Sequence, residues 1–139
     1  MTPGFKILEH PSDLGIEARG ASLAEAFQNA AAGLMSVIAD TSTVGTHELR
    51  EVNISAADRG QLLVKWLSEI LYLYDGQQFV CKEFIIHHFD DTAINATVKG
   101  EKLSELKHRT KIDVKAITYH QLVVEEENNS GLVRVFIDI

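Results

Sequence analysis

Three anionic groups from opposite ends of the chain are the first candidates for chemistry. Asp13 stands in the run His10-Pro11-Ser12-Asp13-Leu14-Gly15, and Asp138 is followed by the carboxylate of the last residue, Ile139. Two negative groups side by side at the end of an ordered strand repel each other unless a cation or a basic side chain neutralises them. Carboxylate oxygens are hard donors, suited to calcium, magnesium or manganese rather than zinc. If the strands that carry Asp13 and Asp138 meet, the three groups converge and a divalent cation is the natural neutraliser. An aspartate in a Pro-Ser-Asp turn has a more ordinary role as well, an Asx hydrogen bond to its own backbone.

Histidines and one lysine are the next candidates. His10 opens the Asp13 turn and His120 follows Tyr119; each could serve as acid, base, ligand or contact, although a lone histidine in a strand is more commonly packed or solvated. His87 and His88 are adjacent in a strand pattern, so they point to opposite faces and cannot pinch one metal. Lys115, in Asp113-Val114-Lys115-Ala116-Ile117, shares a strand face with Asp113 and Ile117. It is either a solvated lysine that discourages strand-on-strand pairing or a cation beside the acidic groups or on a docking surface. The single cysteine, Cys81, lies in the apolar run Phe79-Val80-Cys81 and is expected to be buried and inert. The acidic run Glu125-Glu126-Glu127 reads as a solvated strand end. Phosphate loops, dinucleotide fingerprints, zinc helices and serine elbows do not occur in the sequence, and no residues are assigned a catalytic role. A stand-alone metal-dependent hydrolase, in which the carboxylates activate water, has no substrate-pocket signature beside it.

These residues must be held by a small set of elements. Alternation predicts strands over residues 5–9 and 14–18. Ser22 with Glu25 reads as a capping box, opening a helix whose apolar side is Leu23, Ala26, Phe27, Ala30, Ala31, Leu34, Val37 and Ile38. Residues 40–46 read as a loop and 49–55 as a strand. Asp58 with Gln61 opens a second amphipathic helix that stops at Asp75-Gly76. Strands over 79–89 and 93–100 flank a hairpin at Asp90-Asp91-Thr92. Residues 102–108 read as a helical turn or an irregular crossing. One long strand, bent near Thr118, is predicted over 112–126, and a last one over 132–139. The order argues for an α+β fold: a two-layer sandwich, with two helices packed on a largely antiparallel sheet.

Length and composition bound the rest. A chain of 139 residues with 45% hydrophobic content is expected to form one domain, residues 1–139, with a real core. No apolar run approaches the roughly 20 residues of a membrane span. Met1-Thr2-Pro3-Gly4-Phe5-Lys6 lacks the basic and apolar regions of a signal peptide. One cysteine suits a reducing cytoplasm. A net charge of −7 argues against direct grip on a nucleic-acid backbone. The basic residues are dispersed, apart from Lys107-His108-Arg109-Lys111-Lys115, so RNA is expected to be met only through a basic partner.

Several blocks together resemble the archease family. They are His10-Pro11-Ser12-Asp13-Leu14-Gly15; Leu23-Ala24-Glu25-Ala26-Phe27 with Asn29-Ala30-Ala31; the helix from Leu62 to Leu73; Val114-Lys115-Ala116-Ile117-Thr118-Tyr119-His120; and the ending from Val133 to Ile139. They follow the family's order along nearly the whole chain. The resemblance implies a cytoplasmic, non-enzymatic protein that assists a GTP-dependent RNA-splicing ligase in tRNA splicing or RNA repair. Its role would be to speed guanylylation of the ligase and support repeated turnover. It also implies a divalent cation, calcium first with magnesium or manganese as alternatives, on Asp13, Asp138 and a terminal oxygen of Ile139. Lys115 falls on the family's activating lysine, with His10 and His120 as further partner or nucleotide contacts. An alternative is a general chaperone or modulator of RNA-modifying enzymes such as a tRNA methyltransferase, acting through apolar surface and oligomerisation. The departures are Pro11-Ser12 for Thr-Ala, Gln121 where glycine often follows the histidine, Trp66 for phenylalanine, and a poor match over 101–109 apart from His108.

Overall fold

Ser22 and Asp58 start the two helices, as their spacing predicts. In the computed structural model, which describes residues 4–9 and 13–139, Ser22 Oγ accepts from the Glu25 N–H at 3.1 Å and opens α1 (Leu23–Ile38). Glu25 Oε1 returns the bond one residue earlier, to the Ala21 N–H at 3.0 Å. Asp58 Oδ1 accepts from the Gln61 N–H at 2.8 Å and opens α2 (Arg59–Gln77). These bonds satisfy donors that a helix N-terminus leaves without partners. The second helix runs past Asp75-Gly76 and ends where Gln78 turns left-handed, with φ of 54°.

The strands are β1 (Phe5–Glu9), β2 (Asp13–Gly20), β3 (Glu48–Ser55), β4 (Phe79–Asp90), β5 (Ala93–Lys102), β6 (Ala116–Ile117), β7 (Val123–Glu127) and β8 (Ser130–Asp138). All their pairings are antiparallel. They form two sheets, one of five strands in the order β1-β2-β8-β6 with β7 also on β8, the other ordered β3-β5-β4. Helix α1 packs on β1, β2 and β8 and reaches β4, while α2 packs on the three-stranded sheet and reaches β6 and β7. The fold is α+β, two helices on antiparallel sheets.

The long strand predicted over 112–126 is two short ones. Residues 111 and 112 spend their N–H groups on the carbonyls of Ile38 and Val37 at the end of α1, which a helix C-terminus leaves open. Pairing with β8 begins only at Ala116 and breaks after Ile117, because Gln121 takes a φ of 49° and turns the chain out of the sheet. Pairing resumes at Val123.

One hydrophobic cluster contains residues from both helices and both sheets, including Ile16, Phe27, Leu34, Trp66, Phe79, Val98 and Val135. Trp66 Nε1–H donates to the Phe27 carbonyl at 2.9 Å inside it, which gives the buried indole a partner and ties α2 to α1. Cys81 is fully buried, and burial pushes its thiol up to about 12. No helix among the described residues is long and apolar enough to cross a membrane.

Candidate functional site

Apolar burial decides which residues of β2 and β8 face each other. Ile16, Ala18, Val133, Val135 and Ile137 are each 0% exposed. In register, Ile16 meets Val135, Ala18 meets Val133 and Leu14 meets Ile137. A slip of one residue would turn all of these out of the core, so the register is strongly specified. The same register sets Asp13 directly opposite Asp138. Directly opposed residues of an antiparallel pair share a face, with Cβ atoms about 4.5–5.5 Å apart. The two ends of the chain therefore meet, and the acids share one rung on the side of the sheet away from α1. Asp13 is buried at 8% exposure, while Asp138 is exposed.

The Lys115 block joins the same end of the sheet. The Lys115 N–H donates to the Asp138 carbonyl at 2.8 Å, and Ala116 pairs with Asp138. Three segments far apart in sequence thus converge on Asp138. The strand face expected to group Lys115 with Asp113 and Ile117 does not form, because the strand starts at Ala116; Lys115 and Asp113 are both exposed on the approach to it. Ile139 follows β8 and is 39% exposed. His10, with Pro11 and Ser12, lies outside the described residues. His120 is exposed, and its ring stands edge-on to Phe136 with centroids 6.0 Å apart. Asp13 and Asp138 are two side-chain carboxylates, and no group of three His, Cys, Asp or Glu side chains able to hold a metal occurs among the described residues. A cation there would need further oxygen from elsewhere, such as the Ile139 carboxylate or water.

Two polar clusters are assembled only by the fold. Glu17 is 5% exposed and lies between Arg134 Nη2 at 2.6 Å and Lys6 Nζ at 3.0 Å. The Arg134 hydrogen bond, helped by Lys6, holds its carboxyl below the usual carboxylate range against the opposing effect of burial. Glu101 accepts from the Gly45 N–H at 2.8 Å, from Lys107 Nζ and from His108 Nε2 at 2.7 Å. His108 Nδ1 accepts from the Ser104 N–H at 2.9 Å, which leaves Nε2 as the donor to Glu101. Alternation marks Glu17 as lying opposite the core side, but only the register brings it to Lys6 and Arg134.

Residues 5–139 match the model of the Archease protein family. This chain belongs to the archease family. It is similar to the protein archease of Saccharolobus islandicus, 40% identical over 136 residues that cover 97% of this chain and 98% of that one. The archease of Sulfurisphaera tokodaii is 36% identical over 137 residues, with coverage of 97% and 98%. Among solved structures, the solution structure of Methanobacterium thermoautotrophicum protein 1598 matches with a TM-score of 0.83 and 34% identity, covering 99% of this chain and 100% of that one. A crystal structure from Thermotoga maritima, described as an archease and possible chaperone, has a TM-score of 0.59 at 17% identity and covers 96% of each chain; it shares the fold. The acidic rung is thus built by the two strands at the centre of an archease fold.

Proposed function

We propose that this protein is an accessory factor that activates a GTP-dependent RNA-splicing ligase, promoting ligase guanylylation and multiple turnover in tRNA splicing or RNA repair. It meets RNA only through the ligase, acts in the cytoplasm and carries out no catalysis of its own. The observation that carries the reading is the Asp13–Asp138 rung with Lys115 hydrogen-bonded to it, in a chain of the archease family.

The donor set fits a hard divalent cation, because opposed carboxylates on one rung repel and oxygen is the preferred ligand of such ions. Asp13, Asp138 and a terminal oxygen of Ile139 would hold it, with calcium first and magnesium or manganese as alternatives. When bound, the ion supplies positive charge that cancels the repulsion at the tip. The chain's own residues do the rest. The two strands hold the acids in register, and Lys115 presents an ammonium group to nucleotide phosphate or a partner carboxylate. Activation requires only that these contacts favour the guanylylation-competent state of the ligase over its resting state.

The test is ligase guanylylation with Asp13→Ala, Asp138→Ala and Lys115→Ala. Each variant is expected to lose stimulation by about tenfold or more, the scale of a lost contact to a charged group. Full stimulation by all three ends the reading.

A second reading, a general chaperone or modulator of RNA-modifying enzymes such as a tRNA methyltransferase, draws on exposed apolar side chains. Leu106 is 102% exposed, Tyr119 58% and Leu49 53%. It predicts that the acidic-tip variants keep full activity, and that a tRNA methyltransferase is recovered with this protein while RNA ligase is not.

A further inference from the structure

The last residues of a chain usually fray, and like charges set directly opposite each other push strands apart. Both effects act at the end of β8, where Asp138 faces Asp13. The partners on its other flank are sparse. β7 pairs with β8 only as far as Arg134, and the two-residue β6 pairs only with Ile137 and Asp138. Val135 and Phe136 fall in the gap between them. Thr118 closes that gap. Its N–H donates to the Phe136 carbonyl at 3.0 Å, and its Oγ1–H donates to the same oxygen at 2.8 Å. The hydroxyl oxygen also accepts from the His120 N–H at 3.2 Å, a local bond that turns the chain before Gln121 reverses it. With the Lys115 N–H on the Asp138 carbonyl, β6 is bracketed at both ends, and Val114 and Ile117 anchor it to the core. Phe136 is held on its other flank as well. It pairs with Gly15, and its ring fills the space that a Cβ at position 15 would take, 2.9 Å from Phe136 Cε1.

We propose that Thr118 is a positioning residue for the acidic rung: its hydroxyl pins Phe136, so that the end of β8 stays in the sheet and Asp13 and Asp138 stay opposed before a divalent cation arrives. This rests on the cation reading given above. Oxygen ligands already in place lose little freedom on binding. A strand end that has sprung away must first be returned against the repulsion of the two acids. One hydroxyl is a small lever, since a hydrogen bond of this kind changes an equilibrium about fivefold. It acts, however, where neither β6 nor β7 pairs with β8.

Titration calorimetry with calcium chloride, and amide hydrogen exchange in chelator, test the role on the full chain. Thr118→Val keeps the branched shape and removes the hydroxyl. It is expected to weaken calcium binding about fivefold and to speed exchange of the Lys115 amide by a similar factor. Thr118→Ser, which keeps the hydroxyl, is expected to recover both. A lower melting temperature of Thr118→Val in chelator, with calcium affinity and Lys115 exchange as in the parent, would mark a role in stability alone and overturns the inference. Loss of calcium binding in Asp138→Asn, with parent-like binding in Thr118→Val, overturns the inference and leaves the cation reading standing. Binding that Asp13→Asn and Asp138→Asn both leave unaltered, or no binding by the parent, overturns the cation reading and this inference with it.

Discussion

Glu101 keeps a charge largely out of water, and three donors make that tolerable. The Gly45 N–H contributes most, followed by Lys107 and His108, and together they hold its carboxyl down at about 2 against an ordinary value of 4.5. A carboxyl depressed by folding stabilises the protein fully above the unfolded value, and that contribution is lost as pH falls towards the folded one. Stability is therefore expected to decline between about pH 4.5 and 2. Glu17, Asp40 and Asp90 are also lowered and act in the same sense. Glu101→Gln should consequently be less stable than the parent at pH 7 and lose less on acidification, read as urea midpoints across that range. An equal decline in both proteins would show that the cluster is not what acid breaks. Glu101 and His108 are seven residues apart in a segment without clear periodicity, so nothing in the sequence pairs them; the turn from Ser104 to His108 does.

At the scale of elements, local chemistry was legible and long-range competition was not. The starts of both helices follow from Ser22 with Glu25 and Asp58 with Gln61, because a cap and its partner lie within one turn of each other. Asp75-Gly76 predicts a stop for α2 that the structure does not make. The helix instead continues to Gln77 and Gln78 takes the left-handed position. An exposed non-glycine residue in that conformation is mildly strained, so Gln78→Gly is expected to stabilise by about 0.5–1 kcal/mol, measured as a higher denaturant midpoint at unchanged slope. The bond from the Leu103 N–H to the Gln78 carbonyl at 2.7 Å uses the backbone and survives the change. The single strand that alternation predicts over 112–126 is split for a related reason. Its alternation is real, but the open carbonyls of α1 take the N–H groups of Lys111 and Ile112, and Gln121 reverses the chain.

At the scale of the molecule, β8 is the organising strand. It pairs with β2 on one side and with β6 and β7 on the other, so the last segment of the chain is central to its sheet. Asp138 sits where that strand meets the head of the chain and the Lys115 block. A cation bridging Asp13 and Asp138 would join elements from both ends, and a ligand that binds only the folded state stabilises it by mass action, about 2.7 kcal/mol at one hundred times its dissociation constant. Calcium is therefore expected to raise the melting temperature of the parent protein and to leave Asp13→Asn and Asp138→Asn unmoved. In chelator the order should invert or level for Asp138→Asn, because removing one of two opposed charges relieves repulsion. Calorimetry with calcium and with chelator reads both effects, and an equal calcium shift in all three proteins would place the ion elsewhere.

The sequence by itself determined the α+β class, the two helices and their caps, the buried cysteine and the acids at either end. Each of these depends on residue type or on spacing within a few positions, which a linear pattern records. Only the tertiary structure decided that Asp13 and Asp138 share a rung, that Lys115 reaches it through its backbone and that Glu17 lies between Lys6 and Arg134. Those placements come from the strand register, and the register comes from burying Ile16, Ala18, Val133, Val135 and Ile137 together. Burial couples residues more than one hundred positions apart, and no local pattern carries that information.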